Sequence, residues 1–304
     1  MLDKYFTTKY NLKMEFTELT PIKMRSNKYK TKKKKEFKIK IIIYFICVII
    51  SFFSGLLIGS KLLQKPKMRN IRNYNKILDI YNFTTYSQCL EDFILYCIFY
   101  DIDNGFYIDV GANDPNVITV TKAFYLNGWH GINIEPLPDM YKKLLNDRSR
   151  DINLNIGASE KEDTLSLFLH KEGSTVNKKI FNEKGETINI TVYPLSKICK
   201  EYVPKNEEIQ FCKIDVEGHE KSVLLGFDFE NYRPKVFCIE STAPATYIPT
   251  HEEWEYILIR NGYAFGFAYN INRYYYDTKV DYLNGRFLNL ENYVNIFKKI
   301  QKKK

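Results

Sequence analysis

From about residue 86 to residue 277 the chain alternates between two spacings of apolar residues. Short blocks, unbroken or apolar at every second position, read as strands. Stretches with apolar residues three and four apart read as helices. SQCLEDFILYCIFYDI has helical spacing, with Ser87 placed as its N-cap, and FYIDV is a short strand. NVITVTKAFYLNG fits a helix closed by Gly128, and GINIEP is the second strand. LPDMYKKLLNDR is an amphipathic helix and INLNIGAS a third strand. TLSLFLH and ETINITVYP predict an inserted hairpin or two edge strands. PLSKICKEY is a short helix, IQFCKIDVEG the fourth strand, HEKSVLLGF a helix and PKVFCIES the fifth strand. HEEWEYILIRNG is a helix, and YAFGFAYN with RYYYD form a closing antiparallel pair. Strands in alternation with helices predict an α/β fold with a mostly parallel sheet covered on both faces.

Such sheets bind ligands beyond the carboxyl ends of their strands, where strand order reverses. The acids and glycines of this chain recur at those ends: Asp109 and Gly111, Glu135, Gly157 and Ala158, Asp215 and Glu217, Glu240. Gly111 lets backbone come close to a ligand. Asp109 can accept from a cationic amino group. Glu135 stands 24 residues past Gly111, where an acid reaches a ribose diol. A G-x-G-x-x-G run is missing, so the expected ligand carries a ribose and an ammonium rather than two phosphates. S-adenosylmethionine answers that description, and NAD does not.

One segment breaks the alternation. Residues 41–60 hold no charged side chain, which is the length needed to cross about 30 Å of hydrocarbon. They predict a transmembrane helix between a basic tail (1–40) and a polar stalk (61–80). The folded domain is expected over 81–295, with a solvated basic tail at 296–304. Residues 23–40 carry 10 Lys/Arg against 6 in residues 61–78, which favours a cytosolic N-terminus and a domain on the lumenal or outer side.

Charge is equally segregated. Residues 1–40 hold 13 basic and 4 acidic side chains and so account for the whole formal surplus of +9. Residues 79–297 hold 21 basic against 32 acidic. That domain has no basic excess with which to track phosphates, which argues against a nucleic-acid partner. The six cysteines form no C-x-x-C pair and read as buried structural residues rather than a zinc site.

The motifs YSQCLEDFIL, FYIDVGANDP, GWHGINIEPLP, NIGAS, KIDVEGHE with the LLGF after it, and RPKVFCIE occur in that order. Together they resemble the FkbM family of S-adenosylmethionine-dependent methyltransferases over about residues 86–270. The resemblance implies the Rossmann-like class I methyltransferase fold, a seven-stranded sheet, and O-methylation, often of sugars. By position it implies Asp109, Gly111 and Asn113 at the methionine end of the cofactor, Glu135 on the ribose hydroxyls, and Gly157 and Ala158 near the adenine. It places Asp215 and Glu217 toward the methyl group and its acceptor. Two positions depart from the pattern: Pro115 and Leu90 stand where the family usually has Gly. Pro115 is expected to start the helix that follows.

A sugar hydroxyl attacks poorly until a base takes its proton. Asp215 or Glu217 is the expected base, with His219 as competitor; the alternative is an acidic N-terminus for the next helix. A divalent cation is the other use of the Asp215–Glu217 pair, and no metal is assigned. Ser174, Thr175 and the aromatic segment Phe265–Tyr276 are open to either acceptor contact or plain packing. The expected protein is a membrane-anchored methyltransferase acting on a hydroxyl-bearing small molecule, glycan or glycolipid. The alternative is an inactive, membrane-tethered binding module on the same fold.

Overall fold

The computed structural model describes residues 82–169, 174–176 and 186–302. In chain order they form α1 (Glu91–Phe99), β1 (Phe106–Val110), α2 (Lys122–Leu126), β2 (His130–Ile134), α3 (Pro138–Asp147), β3 (Ile152–Leu154), β4 (Gly157–Ala158) and β5 (Asp163–Phe168). There follow β6 (Thr187–Tyr193), α4 (Leu195–Tyr202), β7 (Ile209–Ile214), α5 (Glu220–Leu225), β8 (Val236–Glu240), α6 (Glu255–Arg260), β9 (Tyr263–Tyr269), β10 (Asn272–Asp277), α7 (Asp281–Phe287) and α8 (Leu290–Gln301). Among these residues no helix is long and apolar enough to cross a membrane. The span expected at 41–60 lies outside the described residues.

β1 is buried at all five positions, as a strand covered on both faces must be. Phe106, Ile108 and Val110 enter one core with Ile132, Ile134, Ile198, Leu224 and Leu258. Tyr107 enters the other, with Phe93, Phe124, Trp129, Phe211 and Phe297. The main sheet runs β3-β2-β1-β7-β8-β10-β9. β3, β2, β1, β7 and β8 are parallel, and β10 is antiparallel to both β8 and β9. The chain therefore leaves β1 toward β2 on one side and returns to β7 on the other. That reversal opens a crevice at the carboxyl ends of β1 and β7.

Several expected elements change form. INLNIGAS divides: β3 stays in the main sheet, while β4 pairs with β6 in a separate sheet of order β4-β6-β5. The helix expected over NVITVTKAFYLNG shrinks to α2. Its first apolar residues, Val117 and Ile118, are 61% and 59% exposed, so no burial supports a helix there. A β-branched run adds little helix propensity of its own. The N-cap position of α1 is Leu90, in the left-handed region, φ 61°, not Ser87. Ser87 Oγ still accepts from the Asp92 amide in the first turn at 3.4 Å and donates to Asp92 Oδ1 at 2.6 Å. The solvated tail expected from residue 296 is part of α8, whose Phe297 is fully buried and stacks on Phe93. All five described cysteines are free and buried, as expected of small apolar core residues.

Candidate active site at the carboxyl ends of the sheet

Asp109 and Lys213 are register partners on adjacent parallel strands, at the last turn of the pleat before the crevice. Asp109 is 1% exposed. Its Oδ2 accepts from Thr121 Oγ1 at 3.0 Å, and its Oδ1 pairs with Lys213 Nζ at 3.3 Å. Lys213 Nζ also donates to the Gly111 carbonyl at 2.7 Å and lies 3.5 Å from Asp215 Oδ2. Burial lowers the pKa of this ammonium, but Asp109 and Asp215 outweigh it and hold the pKa above the usual lysine value. Asp109 is thus turned inward onto an internal cation, not open to a ligand's amino group.

Gly111 serves the same joint. Its φ is 78°, and a Cβ there would stand 1.9 Å from the Asp215 carbonyl oxygen. The close approach that this glycine permits is between two loops of the protein. Gly111→Ala combines a left-handed alanine, itself costing about 1–2 kcal/mol, with a displaced Asp215 loop. Denaturant unfolding of the full chain should show at least that loss of stability.

Glu135 follows Ile134, the last residue of β2, and is buried. Its Oε2 accepts from the Asn113 amide at 2.7 Å and its Oε1 from the Leu137 amide at 2.8 Å. Burial raises its pKa, while those two amides and Lys213 act in the opposite direction. Asn113 itself is exposed with a φ of 53°. The carboxylate therefore shapes the β1–α2 loop, and each oxygen keeps a second lone pair for a further donor.

β7 ends at Ile214, so strand alternation does not align Asp215 and Glu217. The loop brings them together another way. Glu217 takes a φ of 53°, and its carbonyl accepts from Thr175 Oγ1 at 2.6 Å. Carboxylate oxygens of Asp215, Glu217 and Glu240 then lie within 4.8 Å of one another. Burial, then Asp215 and Glu220, push Glu217 up to about 7. Glu240 is also raised, by burial first, then by the charges of Asp215, Glu217 and Glu220 and by a side-chain hydrogen bond with Asp215. Glu220 reaches about 7 chiefly through burial, although its Oε1 accepts from the amides of Val216 and Gly218. A half-buried carboxylate titrating near neutrality can act as a proton acceptor at physiological pH.

The methyltransferase FkbM domain family matches residues 109–265, just over half of the chain. The chain belongs to this family. Among solved structures it is similar to the crystal structure of methyltransferase FkbM from Methylobacillus flagellatus KT, with 18% identity and a TM-score of 0.39. That alignment covers 67% of this chain and 59% of that one. No curated protein matches the chain.

The two departures from the FkbM pattern have structural readings. Leu90 adopts left-handed backbone, the conformation that glycine takes at least cost, so the usual residue there is explained by geometry. Pro115 does not start a helix, because α2 begins only at Lys122. Its carbonyl accepts from the buried Arg148 guanidinium at 2.6 Å.

Other expected site residues separate into two groups. Gly157 and Ala158 are buried and pair with Val192 and Tyr193. Beside them, a cavity of about 240 Å³ is lined by Tyr141, Asn155, Ile156 and Tyr193 among others. It lies apart from the carboxylate cluster, none of whose members lines it. His219 lies against Ser159, with Nε2 3.1 Å from Ser159 Oγ, and burial lowers its pKa, so it stays neutral at pH 7. Of the aromatic segment, Tyr274 and Tyr275 are core residues, while Phe265 is exposed and carries the Arg273 guanidinium over its ring. Sequence reasoning missed Lys213, Glu240 as a cluster member, and Thr175 as the anchor of Glu217. The one available signal was a lysine interrupting the apolar run IQFCKI.

Proposed function

We propose that the chain is an S-adenosylmethionine-dependent O-methyltransferase whose acceptor is a hydroxyl of a glycan, glycolipid or similar small molecule. The observation that carries this reading is the Asp215–Glu217–Glu240 cluster at the strand-reversal crevice, on a loop fixed by Gly111, Lys213 and Thr175.

The residues fit the cofactor. Glu135 has acceptor capacity for a ribose diol next to the exposed Asn113. The cavity at Tyr141, Ile156 and Tyr193 offers apolar walls to a purine, beside Gly157 and Ala158. Gly111 and Asn113 shape the backbone between these acids. When bound, S-adenosylmethionine supplies a methyl group on a positively charged sulfur. The protein's task is to align the acceptor and remove its proton. Glu217 accepts that proton, and Asp215 keeps it basic by like-charge repulsion. His219, neutral and engaged with Ser159, supports the loop rather than replacing Glu217.

The acidic character of residues 79–297 favours a neutral or lipid-linked acceptor over nucleic acid. The uncharged segment 41–60 would anchor the protein, with the N-terminus cytosolic and the domain on the lumenal or outer side.

Calorimetry of S-adenosylmethionine against the full chain in mild detergent tests the cofactor assignment. Binding is expected, weakened at least tenfold in Glu135→Gln, which keeps one acceptor oxygen for the loop, and lost in Glu135→Ala. Absence of binding by folded wild-type chain would leave the tethered binding module as the better account.

A further inference from the structure

The acceptor-side carboxylates have a second property that proton transfer alone does not use. Glu240 ends β8 on the face that also carries Val236 and Cys238. It is 6% exposed, and its Oε2 is buried without a hydrogen-bond partner. The carboxyl otherwise meets only Asp215, whose hydrogen bond and charge favour its protonated form; an oxygen buried bare beside two further carboxylates is costly unless a proton or a cation joins the group. Lys213 is the cation at hand, but its three donors already face Asp109, Asp215 and the Gly111 carbonyl. Glu91, the next acid on this side, is occupied as well: Oε1 takes Asn272 Nδ2 and Oε2 takes the Cys89 amide. Glu220 is tied to the amides of Val216 and Gly218. Asp215 already shares Lys213 with Asp109, which leaves Glu217 and Glu240, beside Asp215, as the carboxylates of this cluster with no cation of their own.

We infer that Asp215, Glu217 and Glu240 form a binding site for one divalent cation. The donors are all oxygens, which suits a hard ion such as Mg²⁺, Mn²⁺ or Ca²⁺ and not a thiolate-seeking metal. The spacing agrees. Two oxygens on one ion stand at most about 4.6–5.2 Å apart at Ca²⁺ and about 4.0–4.2 Å apart at Mg²⁺; the three here lie within 4.8 Å of one another, close enough for Ca²⁺ as they stand and for a smaller ion after a slight inward turn. The site joins the end of β8 to the loop after β7, and Asp215 and Glu217 are only part-buried, which leaves the ion an outer side for water or an acceptor oxygen. An ion there would lower the pKa of a hydroxyl bound to it. The site extends the reading of this loop as the acceptor side, but its existence does not depend on that reading.

Titration of Mn²⁺ into the metal-stripped full chain, followed by loss of the free-ion electron paramagnetic resonance signal, tests the site. One Mn²⁺ per chain is expected, displaced by excess Mg²⁺ or Ca²⁺. Glu240→Gln should weaken binding at least tenfold, while Glu162→Gln, an exposed carboxylate elsewhere, should leave it unchanged. Mn²⁺ should raise the Tm of the wild type and not that of Glu240→Gln. Should Glu240→Gln fail to fold, Asp215→Asn serves in its place, with the same weakening expected. No Mn²⁺ bound by folded wild type, or equal affinity in a folded variant, overturns the inference. Calorimetry with S-adenosylmethionine is scored separately: Mn²⁺ binding without cofactor binding keeps the cation site and removes the methyltransferase reading.

Discussion

Glu217→Gln should lower the rate of methyl transfer at pH 8 by at least about 100-fold, the lower end of what a positioned acid–base group contributes, with S-adenosylmethionine affinity changed only a few-fold. The glutamine keeps the size of the side chain and the Thr175 bond to the Glu217 carbonyl, so the loop retains its path. What disappears is the carboxylate. With divalent ions chelated, the wild-type rate should rise with pH and level off above about 7, following the deprotonated fraction of Glu217. Stability moves the opposite way. The folded chain holds a proton on Glu217 that the unfolded chain has released once pH exceeds the ordinary glutamate value of 4.5. Stability therefore falls as pH rises from about 4.5 through about 7. Glu217→Gln removes the rate dependence entirely and the stability dependence in part, because Glu220 also titrates at about 7. A rate profile unchanged in the variant would show that another group accepts the proton.

The expected order of strands and helices was legible because burial demands apolar residues at fixed periods, and most of the chain obeys them. The failures occurred where another force set the structure. Val117 and Ile118 look like a helix face in sequence, yet they cover the surface of the β1–α2 loop, and Thr121 behind them is occupied by Asp109. INLNIGAS reads as one strand because nothing in its pattern marks the point where the chain leaves one sheet for another. The site residues show the same division. Strand-end acids were readable as acids at an edge, since topology alone places them there. Their partners were not, because Asp109 meets Lys213 through register between β1 and β7, 104 residues apart, and Thr175 meets Glu217 through an inserted segment. Gly111 was assigned to a ligand for a sound reason, close approach, and the structure shows a different neighbour, the Asp215 carbonyl.

The joint between those two strands yields the largest expected change in stability. Lys213→Met keeps the aliphatic stem that packs within the sheet and removes only the ammonium. Asp109, 1% exposed, would then retain Thr121 but lose its charge partner, and Gly111 would lose the donor to its carbonyl. Breaking one side of a buried pair costs about 3–5 kcal/mol, enough to threaten a domain whose whole stability is about 5–15 kcal/mol. Asp109→Asn in the same chain should restore most of that loss, since replacing both partners leaves no uncompensated charge at position 109. A double-mutant cycle on denaturant unfolding measures the coupling directly. Near-additive losses would show that Lys213 and Asp109 act independently and would move the weight of the interaction to Asp215. A strong coupling, together with a methyl-transfer rate that stays low in the stable double variant, would separate two roles of Lys213. One is to neutralise Asp109; the other is to hold Asp215 at the edge of the carboxylate cluster, 3.5 Å from its ammonium. The pairing with Asp215 cannot be supplied by an asparagine at position 109, so activity and stability should part company in this one protein.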